Sequence, residues 1–75
     1  MIEVTYKHTE TVCTTFRTIS GLAAWLSTYD QGVLSPINGH PSVNVRDVRI
    51  PPWAEEDATC LIANGYYRNG RAVRP

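Results

Sequence analysis

The chain opens on a strict alternation. Ile2, Val4 and Tyr6 fall on one parity and Glu3, Thr5 and Lys7 on the other. That is the period of a strand with one face buried and one in water. After the polar stretch His8-Thr9-Glu10 the alternation resumes from Thr11 to Arg17, with Val12, Thr14 and Phe16 sharing a face. β-Branched and aromatic residues suit a pleated surface. Two such runs joined by a few polar residues predict an antiparallel hairpin, here without a turn glycine. The period then lengthens: Ile19, Leu22, Ala23 and Leu26 recur at i, i+3, i+4 and i+7, with Trp25 and Tyr29 flanking the arc. This predicts a helix over about residues 19–30. Thr18 or Ser20 is placed to cap it, and Gly32 to stop it.

Beyond Val33 the punctuation changes. Pro36, Asn38-Gly39 and Pro41 predict a loop over 33–42. Residues 42–50 predict a strand whose parity slips, since Val43 and Val45 share one face while Val48 and Ile50 share the other. A bulge near Arg46-Asp47 would restore a common face; otherwise one end of the strand is covered on both sides. Pro51-Pro52 ends it. Ala54, Ala58, Leu61 and Ile62 then predict a second helix over 53–63, stopped by Asn64-Gly65. A strand over 59–63, turning at Asn64-Gly65, competes with that reading. Residues 66–75 contain a second Asn-Gly pair and fit either a small hairpin or a strand with a frayed tail. Together these elements predict an α+β fold: a small antiparallel sheet of about three strands, with one or two helices packed on one face. Trp25 and Trp53 are both expected in the core, with an exposed anchor as the alternative for Trp53.

At 75 residues and 8.4 kDa the chain has room for a single domain, 1–75, with one core. Hydrophobic residues at 43% and charged residues at 19% give a globular balance rather than a disordered one. Seven Lys+Arg cancel seven Asp+Glu, so the whole chain is not a polycation seeking phosphate backbone. No apolar run approaches the ~18 residues of a membrane span, and Met1-Ile2-Glu3-Val4 lacks the basic and apolar regions of a signal peptide. The expected location is a host cytoplasm, without membrane contact. Cys13 and Cys60 are far apart, with no CxxC spacing for zinc, and are expected as reduced thiols.

Catalytic signals are sparse. His8 and Cys13 could oppose each other across the first hairpin, but strand parity separates them, and both His8 and His40 read as loop residues without a task. Glu55, Glu56 and Asp57 lie in the first turn of the second helix, where successive residues point about 100° apart and cannot converge on one ion. They read as dipole-complementing residues or as an acidic contact patch. No enzyme activity, cofactor or metal is therefore expected. The C-terminal Tyr66, Tyr67, Arg68 and Arg71, with Arg74, give the strongest contact signal. Six of the seven cations are arginine, which with tyrosine is enriched at interfaces where lysine is depleted. The same residue types stack on bases and bind phosphate, so a nucleic-acid contact is the alternative. A homodimer is compatible with the sequence.

One segment carries a resemblance. Thr15-Phe16-Arg17-Thr18 closes a strand and runs directly into an amphipathic helix containing Ala24-Trp25-Leu26. Over about residues 11–30 this resembles small phage-encoded host-takeover proteins, namely inhibitors of host RNA polymerase and anti-CRISPR proteins. The resemblance implies a stoichiometric inhibitor without a cofactor that binds a host protein or nucleoprotein complex and occupies its surface.

Overall fold

A computed structural model of the protein describes residues 1–74. In chain order the elements are β1 (Ile2–Tyr6), β2 (Val12–Phe16), α1 (Ile19–Leu26), β3 (Val33–Leu34), β4 (Val43–Asn44), a 3-10 turn (Val45–Asp47), β5 (Val48–Arg49), α2 (Pro52–Ala63), β6 (Tyr67–Arg68) and β7 (Arg71–Ala72). The fold is α+β. β1 is the central strand of a three-stranded antiparallel sheet ordered β2-β1-β5, and two further hairpins, β3-β4 and β6-β7, stand apart from it. Ile2, Val4, Phe16 and Val48 from the sheet join Leu22, Ala23, Trp25, Ala54 and Ala58 from the helices in one core. Glu3, Lys7, Arg17 and Arg49 remain exposed. α1 packs on α2, and complete burial of Ala23, Ala54 and Ala58 fits a close approach in which methyl groups replace larger side chains.

The first hairpin departs from simple alternation. Its register shifts between Val4, opposite Thr14, and Thr5, opposite Val12, which leaves Cys13 as the extra residue of a bulge. Val12 therefore turns out to water instead of sharing the face of Thr14 and Phe16, and half-buried Cys13 packs against the core. With no glycine available, Glu10 takes the left-handed conformation that closes the turn, at φ 57°.

α1 begins where expected, with the Thr18 hydroxyl accepting from Gly21 N–H at 3.1 Å. It ends four residues earlier than the apolar arc suggests. The Ser27 hydroxyl donates to the Ala24 carbonyl at 2.7 Å and the Thr28 hydroxyl to the Trp25 carbonyl at 2.6 Å. Side chains thus satisfy carbonyls that a further turn would have used. Tyr29 leaves the helical arc and stands exposed, while Gly32 belongs to a separate tight turn bridging Asp30 to Val33.

Residues 33–42 form no open loop. β3 pairs with β4, and Ile37 bridges His40 around Asn38-Gly39. Both turn residues have positive φ, 46° and 83°, the combination that Asn-Gly favours in a two-residue hairpin turn. Pro36 and Pro41, which lack an N–H, lie between the two paired sections. The parity slip in 42–50 is real, but its device is the 3-10 turn and not a bulge. Asn44 caps it by accepting from Arg46 N–H at 2.9 Å, and it hands the chain from β4 in one sheet to β5 in another. Val43 and Val48 are both buried as a result.

Residues 59–63 are helical, as part of α2. Pro52 occupies its first turn, where its missing N–H costs nothing. Ala54 and Ala58 face the core, so Trp53, one position and about 100° away, faces water at 59% exposure. The expectation of a core Trp53 fails for that reason, whereas Trp25 is fully buried.

Candidate functional site

The C-terminal segment is a hairpin with a defined seat. Asn69 and Gly70 form its turn, and their N–H groups donate to the Ser27 carbonyl (3.2 Å) and hydroxyl (2.8 Å) at the end of α1. Tyr67 is half-buried against the core. Tyr66 is also half-buried, with the Arg74 guanidinium 4.9 Å from its ring centroid, and Arg74 donates to the Asn64 carbonyl at 2.6 Å. The hairpin is anchored at its turn and at both strand ends.

This arrangement sorts the predicted contact residues. Tyr66, Tyr67 and Arg74 spend part of their surface on internal contacts. Arg68 and Arg71 are exposed, and the strand register sets them directly opposite each other. They line a recess of about 450 Å³ with Asn69 and Val73. Like charges in directly opposed positions destabilise a two-stranded ladder, so the pair is held together against its own repulsion. Glu55, Glu56 and Asp57 are exposed on the first turns of α2. The hairpin follows the last turn of that helix, so the acidic groups sit at the start of α2 and the basic pair beyond its end. They form two surfaces, not one. Comparison with protein-family models, with curated proteins and with solved structures returned no match to this chain.

Arg71→Glu converts the repelling pair into an attracting one, with an expected gain of about 0.2–1 kcal/mol or more over the like-charged pair. A thermal midpoint at or above that of the wild type is the expected result. A clear fall would mean that Arg71 makes a stabilising contact of its own.

His40 has a task that its loop position concealed. Its ring stacks on Phe16 with centroids 4.0 Å apart, and its Nδ1 shares a 2.6 Å hydrogen bond with the Thr14 hydroxyl. Beside it the Trp25 indole N–H donates to the Pro41 carbonyl at 3.0 Å. The available signal was Asn38-Gly39, because Ile37 and His40 are the positions that such a turn brings together. Desolvation holds the His40 pKa below its ordinary 6.5, so the folded protein favours the neutral ring. The associated stability is complete above about pH 6.5 and is lost as the pH falls below it. Thermal melts from pH 7.5 downward should show this loss in the wild type and a smaller one in His40→Gln, with His8 common to both. Identical profiles would refute the assignment.

Cys13 and Cys60 are free thiols. The neighbour of Cys13 is Tyr6, not His8, and a hydrogen bond with the Cys13 thiol holds the Tyr6 hydroxyl above its ordinary pKa of 10.0. Among the described residues no group of three or more His, Cys, Asp and Glu is placed to hold a metal ion, and no helix is long and apolar enough to cross a membrane.

Proposed function

We propose that this protein acts by stoichiometric binding, as a phage- or mobile-element-encoded inhibitor that occupies a functional surface of a host protein machine, a CRISPR effector or RNA polymerase. The observation that carries this reading is the opposed pair Arg68 and Arg71 on the anchored terminal hairpin. Two arginines at directly opposed strand positions suit a carboxylate-rich surface, because each guanidinium can bind a carboxylate through two parallel hydrogen bonds. Seating the turn on Ser27 fixes the pair in advance, which lowers the ordering cost of binding. The partial resemblance of residues 11–30 to host-takeover proteins points to the same class.

The test is titration of the protein into purified CRISPR effector and RNA polymerase from candidate hosts. A complex of fixed stoichiometry at ordinary salt, with loss of the machine's activity, is expected. Changing both Arg68 and Arg71 to Ala should weaken it at least tenfold, about 1.4 kcal/mol. No complex with either machine would count against the reading.

The opposed arginines also fit phosphate, which supports a second reading as a nucleic-acid-binding regulator. Arg74 is committed to Tyr66 and Asn64, so Arg68 and Arg71 would supply the phosphate contacts. Log affinity should then fall against log salt by about 0.9 for each phosphate neutralised, and the double Ala variant should reduce that slope by about 2. Salt-independent affinity for duplex DNA would exclude this alternative.

A further inference from the structure

On the side of the molecule where β5 meets α2, a recess of about 570 Å³ lies open, within the size range of ligand clefts. Leu34 and Val48 form its base, and half-buried Leu26, Val45, Ile50 and Ile62 form its sides. Exposed Tyr29, which the early end of α1 releases from the helical arc, makes one wall. The rim carries Lys7 and Arg49 on the sheet side and Glu55 on the helix side.

The same chain carries a matching knob. Trp53 is 59% exposed, an unusual position for the largest apolar side chain. Pro51-Pro52 before it fixes the start of α2 and therefore the direction in which it projects. Glu56 and Asp57, at i+3 and i+4, lie on the face of the helix that Trp53 occupies. All three are exposed. An aromatic anchor flanked by two acids thus has as its complement an apolar recess whose rim, with Lys7 and Arg49 on one side against Glu55 on the other, carries a net positive charge.

We propose that the recess receives Trp53 of a second copy of this chain, with Glu56 and Asp57 of that copy meeting Lys7 and Arg49. The inference goes beyond inhibitor function and requires no host partner. Helix geometry sets the symmetry. Glu55, Thr59 and Ile62, which line the recess, lie roughly 145° around α2 from the Trp53 face. Knob and recess therefore point in different directions, and one copy cannot exchange both with the same neighbour. The contact is head-to-tail, and association is open-ended rather than closed at a dimer. One aromatic anchor buries only about 150–250 Å², well below the ~1,200 Å² of a stable interface, so association is weak and develops between micromolar and millimolar protein.

Sedimentation across that range, with tryptophan emission recorded in parallel, provides the test. Trp25 is already buried, so a blue shift with concentration reports Trp53. The expected result is a rising average mass accompanied by a blue shift, both lost in Trp53→Ala. Two charge-reversed forms, Lys7→Glu/Arg49→Glu and Glu56→Lys/Asp57→Lys, alter only exposed side chains. Each alone should remain monomeric, because its knob and its recess then carry the same sign. Mixed together they should associate. A mass that stays monomeric at millimolar protein, association that survives Trp53→Ala, or a mixture that fails to associate would each overturn the proposal. So would recovery of the recess filled by an acidic peptide that Trp53 of a second copy cannot displace. Failure here leaves binding through Arg68 and Arg71 unaffected, since that surface is read from a separate titration.

Discussion

Trp25→Ala should remove a large part of the protein's stability. Trp25 is completely buried, its ring centroid lies 5.3 Å from that of Phe16, and its indole N–H binds the Pro41 carbonyl. Truncating such a residue costs about 3–5 kcal/mol through lost transfer energy and the cavity left behind. The whole fold has about 4–11 kcal/mol at 0.05–0.15 per residue. Loss of the indole also strands the Pro41 carbonyl, which loosens the hairpin that carries His40. A fall in thermal midpoint of about 15 °C or more is expected, read by circular dichroism. Trp25→Phe, which keeps a ring but loses the donor, should fall less. A drop below about 5 °C in the Ala variant would show that Trp25 is not central to the core.

Gly70→Ala should release the terminal hairpin. Gly70 has φ +82°, and a Cβ there would lie 3.0 Å from Thr28 Cγ2. Thr28 cannot yield easily, because its hydroxyl donates to the Trp25 carbonyl and accepts from Ser35 N–H. The left-handed backbone alone costs about 1–2 kcal/mol for a residue with a Cβ. Gly32→Ala isolates that part, since its φ is +86° and nothing lies within 4 Å of an added Cβ. The expected result is faster hydrogen exchange at the Asn69 and Gly70 amides, which donate to Ser27, with core amides unchanged. Arg68 and Arg71 would lose their fixed placement, and partner affinity should fall with them. Wild-type protection in Gly70→Ala would mean that the hairpin is not seated on Ser27.

The periodic parts of this fold were legible in the sequence, and the punctuated parts were legible only as punctuation. Ile2, Val4, Leu22, Ala54 and Ala58 were placed by period alone, because a half-buried strand and an amphipathic helix repeat a simple rule. The end of α1 was missed because Ser27 and Thr28 bind back to helical carbonyls, a competition that hydrophobic spacing does not register. Cys13 and Val12 changed faces through a bulge, whose extra residue leaves no compositional mark. Pro36 and Pro41 masked the second hairpin, although Asn38-Gly39 carried its signal. Of the contact residues, Arg68 and Arg71 were visible as types; their direct opposition needed the register of β6 and β7. The recess beside Tyr29 was not legible at all, since it is assembled from the end of α1, the 3-10 turn, β5 and α2.

The most direct measurement is calorimetric titration of the wild type and Arg71→Glu into the purified host machine that the wild type binds, with the thermal midpoint of each recorded. If Arg68 and Arg71 are kept opposed for binding, Arg71→Glu should hold or raise the midpoint while affinity falls at least tenfold, because the change relieves the repulsion and removes the clamp. Unchanged affinity in the folded variant, or a loss of affinity matched by a loss of stability, would contradict a binding role for the pair.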